Sequence, residues 1–281
     1  APHSELVAVS KNLCVKIPDA APLDQAAFTT IKTIAMQGVR RAELSLGESA
    51  AVIGLGLIGQ LTVKLLRQAG VRVFGIDIHS GPVKAAVESG AEYAATRSDE
   101  TLEAAIAEKS GGYGVDAVII TAGGSTTDPV DLAGRLCRHR GKVVIVGNVP
   151  TGFERKYYYR KELDLRMSAS YGPGRYDPQY EQKGLDYPIG HVRWTENRNM
   201  EAFAQLLADG LDLQNLITHR FPFCKADEAF DIVVNPAIPK MGILLEYDHS
   251  RPWSPKTAPP AKAAGPNPGI SFIGAGSFAT N

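Results

Sequence analysis

The feature that most limits what this chain can fold into is Gly54-Leu-Gly56-Leu-Ile-Gly59. An apolar run, Ala50-Ala-Val-Ile53, precedes it and reads as a strand, and residues 60–69 follow with helical spacing. In a strand–turn–helix unit each glycine has its own task. Gly54 permits the tight turn, Gly56 lets a pyrophosphate approach the backbone, and Gly59 lets helix and strand pack closely. The N–H groups of Leu57 and Ile58, with the helix dipole behind them, then face the phosphates.

The surrounding pattern agrees. Apolar runs at 50–54, 71–77, 117–121 and 143–147 read as buried strands. Helical spacing appears at 59–69, 82–89, 101–109, 128–138 and 199–208. Strands that are apolar throughout, with helices between them, predict an α/β fold built on a doubly wound parallel sheet. The second strand ends in Asp77, 23 residues beyond Gly54, where a carboxylate would accept the ribose hydroxyls. The same charge would repel a 2′-phosphate, and Ile78, His79 and Ser80 supply no Arg to bind one, so NAD is expected over NADP. Upstream, residues 5–18 alternate as short strands, and 23–37 reads as a helix behind Pro22.

Composition narrows the partners. In 281 residues, 30 Lys+Arg balance 30 Asp+Glu, which argues against a nucleic-acid or membrane-surface binder. No apolar run is long enough for a membrane-spanning helix. Cys14, Cys137 and Cys224 are far apart and read as buried core cysteines, without a disulfide framework. A reducing cytoplasm is the expected location.

Further stretches carry a family resemblance: Lys16-Ile-Pro-Asp19, 26–33, Gly54 to Gly59 with Asp77, 141–147, 217–223, 226–232 and 240–245. On these, residues 1–248 resemble the C-terminal two-thirds of a medium-chain dehydrogenase of the zinc-type alcohol dehydrogenase superfamily. The resemblance implies the end of a GroES-like catalytic domain at 1–27, a Rossmann NAD-binding domain at 28–170 and a return to the catalytic domain at 171–248. It implies Thr30 near the nicotinamide and Thr121 and Ala122 on the adenosine side. The backbones of Val146, Gly147, Ser170 and Tyr171 would hold the carboxamide. It also implies a small-molecule substrate and a homodimer paired through edge strands. One of the family's zinc-ligating cysteines falls at Ala26 or Ala27, and no ligand set can be assembled, so no metal site is expected.

The implied chemistry is hydride transfer between nicotinamide and an alcohol or carbonyl carbon, with a sugar or sugar nucleotide of polysaccharide biosynthesis as one substrate class. Two alternatives stand beside it: a non-catalytic dinucleotide-binding module, and a zinc-free enzyme of the quinone-reductase type. No catalytic acid or base is assigned. His219 reads as structural, Tyr171 as packing, His139 and Arg140 as partners of a helix C-terminus, and His191 as a residue of an irregular stretch. The basic, aromatic run 153–161 reads as an exposed connection. The aromatic-rich stretch 172–194 is expected on the substrate side, with Arg175, Tyr176 and Arg193 as its residues of interest.

A proline-rich stretch follows at 249–268 and reads as a stiff linker. Residues 269–281, with Gly274-Ala-Gly276-Ser-Phe-Ala279, resemble the first strand and glycine-rich turn of the Gfo/Idh/MocA oxidoreductases. With Ala1 rather than Met at the front, this leads to the expectation of an internal piece of a fused, two-module oxidoreductase.

Overall fold

The computed structural model describes residues 7–248, together with His3 and Ser250. Two compact units divide at Glu246. The second is described only near its start, where Ser250 N donates to Asp248 Oδ1 at 2.9 Å. The linker and the second glycine phrase lie outside the described residues.

The elements of the first unit run in chain order. They are α1 (Leu23–Ala26), α2 (Thr29–Ala42), β1 (Ser49–Ile53), α3 (Leu57–Gln68), β2 (Arg72–Asp77) and α4 (Ser80–Glu88). Next come β3 (Tyr93–Thr96), α5 (Leu102–Lys109), β4 (Val115–Ile120), α6 (Asp128–Leu136) and β5 (Cys137–Ile145). The remainder are α7 (Arg155–Lys161), β6 (Asp164–Met167), α8 (Pro178–Glu181), α9 (Glu196–Ala208), β7 (Ile217–Pro222), α10 (Ala226–Val234) and β8 (Gly242–Glu246). None of the described helices is long and apolar enough to cross a membrane.

The apolar runs become one parallel six-stranded sheet in the order β3-β2-β1-β4-β5-β6. Side chains alternate between its faces. Ala51, Ile53, Val118, Ile120, Val143 and Ile145 pack on one side against Leu102 and Ile106 of α5 and Val130 and Leu136 of α6. Ala50, Val52, Ala117, Ile119 and Val144 pack on the other against Val63 and Leu66 of α3, Ala42 of α2 and Ala86 of α4. Two buried faces are why these strands read as unbroken apolar runs. The chain order turns about between β1 and β4, which opens a crevice at their carboxyl ends. A separate two-stranded parallel sheet, β7 with β8, follows.

Several expectations need correction. Residues 7–18 form no strand; the stretch holds a 3-10 turn, Lys11–Leu13, and leaves Val7 and Val9 exposed. Alternation makes a strand only where a neighbouring strand supplies the ladder, and none pairs with this stretch among the described residues. The helix expected at 23–37 breaks between α1 and α2, and α2 continues to Ala42. Cys14 and Cys224 are exposed, and only Cys137 is buried. His139 and Arg140 do not end a helix: residues 138–141 bulge from β5 between the pairs Val115–Cys137 and Ala117–Lys142.

The cation at the C-terminus of α6 is instead Lys161, whose Nζ donates to the carbonyls of Gly134, Arg135 and Cys137 at 3.0, 2.7 and 2.7 Å. The basic, aromatic run is therefore a packed helix and no loose connection. Tyr158 of α7 is buried with its hydroxyl on Val130 O at 2.8 Å, while Tyr159 faces solvent.

Candidate dinucleotide site

At the carboxyl ends of β1 and β4 lies a cleft of about 570 Å³, walled by Gly54, Gly56, Asp77, His79, Thr121 and Ala122. The glycines there are needed for stated reasons. Gly54 has φ 93°, which L side chains rarely adopt, and a Cβ on Gly59 would stand 1.9 Å from Gly54 O. At Gly56 a Cβ would meet nothing within 4 Å, so this is the side left open for a ligand. Gly56 caps α3 without a side-chain bond, which leaves the first-turn N–H groups pointing into open space.

The turn is tied down from three directions. Asp77 Oδ2 accepts from Leu55 N at 2.6 Å and Oδ1 from His79 N at 2.9 Å. A carboxylate has about four lone-pair positions, so the two bonds leave two for ribose hydroxyls. Thr121 Oγ1 donates to Gly54 O and, at 3.3 Å, to Ile53 O. Gln60 is fully buried in α3, and its Nε2 reaches Leu55 O at 3.0 Å and Pro82 O at 2.9 Å. It thus joins the glycine turn to the start of α4.

Sequence reasoning missed Gln60, and it missed the far wall of the cleft. Arg97, just beyond β3, forms a bidentate pair with Asp128 of α6, Nε–Oδ2 2.8 Å and Nη2–Oδ1 2.7 Å. The hydrogen bond from Arg97 holds the Asp128 carboxyl below its ordinary range against the opposing effect of burial, and the same bond raises the Arg97 pKa. The available signal was register: Arg97 N donates to Asp77 O at 2.7 Å, so a strand at 93–96 would have set Arg97 beside the ribose carboxylate.

The expected nicotinamide-side residues do not wall this cleft. Thr30 is exposed near the start of α2. Val146 packs on α2, its Cγ2 standing 2.6 Å from where a Cβ on Gly38 would be. The N–H groups of Val146 and Gly147 both donate to Ile120 O at 2.9 Å, so only their carbonyls remain to meet a ligand. Ser170 and Tyr171 form a turn beyond β6, in which Ser170 has φ 45° and Tyr171 O accepts from Asn199 Nδ2 at 3.0 Å. His219 on β7 bonds Thr218 Oγ1 at 2.9 Å and stacks with Phe221, consistent with a structural part.

Among the described residues, no group of three or more His, Cys, Asp or Glu could hold a metal ion. Ala26, at one position expected for a ligating cysteine, is buried in an apolar cluster. The residues present do not fit a catalytic zinc, which needs three ligands and a water.

Residues 58–183 match the family described as zinc-binding dehydrogenase. The chain is 33% identical over 121 residues to (R,R)-butanediol dehydrogenase of Bacillus subtilis, covering 43% of this chain and 35% of that protein. It is 26% identical over 236 residues to D-guloside 3-dehydrogenase of Shigella flexneri, covering 82% of this chain and 64% of that protein. The fold recurs in a Sinorhizobium meliloti 1021 protein solved with NADP, at TM-score 0.64 and 27% identity, over 82% of this chain and 61% of the other. The chain thus spans between a third and two-thirds of each of these proteins. The likeness is to proteins of the zinc-binding, alcohol-dehydrogenase-like kind.

Proposed function

We propose that the chain is the dinucleotide-handling part of an NAD(H)-dependent oxidoreductase, with a polyol, sugar or sugar nucleotide as substrate class. One observation carries this reading: the open N-terminus of α3 at Gly56 lies beside Asp77, at the point where the sheet reverses its order. The butanediol and guloside dehydrogenases among its relatives support the alcohol chemistry, and the neighbour solved with NADP supports a nicotinamide dinucleotide.

When bound, the cofactor supplies hydride transfer at the nicotinamide ring. The N–H groups of Leu57 and Ile58 hold the pyrophosphate, and the two unused positions on Asp77 accept the ribose hydroxyls. Thr121 and Ala122 border the adenosine side. The carbonyls of Val146 and Gly147, with the main chain of Ser170 and Tyr171, orient the carboxamide. Arg97 is already neutralised by Asp128, so no free cation awaits a 2′-phosphate on that wall, and NAD is favoured. No step is routed through zinc.

Calorimetric titration with NADH and NADPH tests the reading. NADH is expected to bind more tightly. Asp77→Asn weakens NADH by about 1.5–3 kcal/mol, the worth of a hydrogen bond to a charged group. Binding of neither cofactor, or a preference for NADPH, would overturn it. The same reading takes β6 as the pairing edge of a homodimer and 269–279 as the opening of a second dinucleotide-binding module.

A further inference from the structure

The stretch between β6 and α9 is a built lobe. The rings of Tyr180 and Tyr187 stack at 5.4 Å. Arg175 pairs with Glu181, and Tyr187 donates to Asp177. Arg198 of α9 binds Asp186 at 2.5 Å and Tyr187 O at 2.8 Å. The guanidinium groups of Arg40 and Arg193 lie over the Trp194 ring, 3.4 and 3.8 Å from its centroid. Asn12 donates to Tyr180 O at 2.9 Å, which fastens the lobe to the 3-10 turn.

Beneath it lies Glu196, the first residue of α9. It is fully buried, and neither carboxyl oxygen has a hydrogen-bond partner. Its N–H donates to Pro173 O at 2.9 Å, which sets it under the turn at 170–175. The groups that face it electrostatically are Glu181 and Tyr180 of α8 and Arg175, Tyr171 and Tyr187 of the lobe. On the α2 side, Arg40 is occupied by Asn199 Oδ1 at 2.8 Å and by Trp194, and Gln37 lies against Gly172. His191 of the lobe is exposed.

A buried carboxylate without a donor costs several kcal/mol, whereas the neutral acid costs far less. The α9 dipole favours the ionised form by only about 0.3–1 kcal/mol. Burial and then the Glu181 carboxylate push the Glu196 carboxyl up to about 7, with Arg175 opposing. The turn above it also needs support. Ser170, which carries a side chain, has φ 45°, and such backbone persists only where its surroundings hold it.

We propose that Glu196 is a positioning residue: as the neutral acid it seats the 170–175 turn on α9, and loss of its proton lifts that turn. The Tyr171 main chain moves with the turn, so cofactor affinity follows the same proton. That last clause rests on the function proposed above; the seating of the turn does not.

The test uses the full chain carrying Trp253→Phe, so that Trp194 reports alone. Its fluorescence is followed from about pH 5.5 to about 8.5, a range spanning the near-neutral groups. A step centred near 7 is expected, lost in Glu196→Gln and moved to lower pH in Glu181→Gln. NADH affinity then falls about tenfold per pH unit above the midpoint in the parent and stays flat in Glu196→Gln. No step, an unchanged step in Glu196→Gln, or loss of the step in His191→Asn would overturn the proposal. A Trp194 step with no NADH binding at any pH would leave the seating intact and sink the cofactor reading.

Discussion

Lys32 and Glu196 are both fully buried, and their charged atoms have no hydrogen-bond partner. Lys32 Nζ lies 4.3 Å over the Phe203 ring. Burial first, and Lys64 second, push it down to about 6 from 10.5. Between those pH values the unfolded chain holds a proton there that the folded chain does not. Stability should therefore rise with pH across that window, by about 1.4 kcal/mol per pH unit from this group. Glu196 has the opposite sign: its contribution is lost as pH rises from its ordinary 4.5 to about 7. Urea unfolding at pH 7 and pH 8 checks the first effect. Lys32→Met should be more stable than the parent and should lack this share of the slope; an unchanged slope would refute the assignment. At the same scale, Gly59→Ala forces a Cβ against Gly54 O and should cost about 1–3 kcal/mol by overpacking, seen in thermal melts. It should also abolish NADH binding. The glycines and Asp77 were legible in the sequence because the backbone makes a local demand there. Lys32 was not, since a lysine on a helix reads as solvated until the packing around it is known.

Elements with two buried faces were the readable ones. β1, β2, β4 and the C-terminal part of β5 are continuous apolar runs. The outer strands β3 and β6 are short and mostly half-exposed, so Tyr-Ala-Ala-Thr and Asp-Leu-Arg-Met carry little pattern. α7 was misread because its charges dominate the sequence, while its packing comes from Tyr158 and Lys161. Lys161→Met leaves three carbonyls at the end of α6 without their donor and should cost about 1–3 kcal/mol, read as a lowered melting temperature. The unread β3 also hid the Arg97–Asp128 wall. Asp128→Asn releases the Arg97 guanidinium beside Asp77. Combined with Asp77→Ser, it should shift cofactor preference toward NADPH by tenfold or more, about 1.4 kcal/mol, in parallel titrations. An unchanged preference would mean that Arg97 does not reach the 2′ position.

For the molecule as a whole, the strand order puts the dinucleotide cleft at the reversal between β1 and β4 and leaves β6 at the sheet's edge. Met167 on that strand is 61% exposed. If copies pair through β6, sedimentation should give twice the chain mass, and Leu165→Pro in the strand should give a monomer whose NADH affinity is unchanged. A parent chain that sediments as a monomer would remove the edge-pairing reading. The sequence by itself determined the parallel sheet, the glycine turn and the acid beside it, because each is written within a few residues of one strand and one helix. The tertiary structure alone decided what long-range neighbours impose. It left 7–18 irregular, with no partner strand among the described residues, set Arg97 against Asp128, and folded 168–195 into a lobe over an unpaired carboxyl. Those outcomes depend on burial and charge contributed by residues far apart in the chain, which no local pattern records.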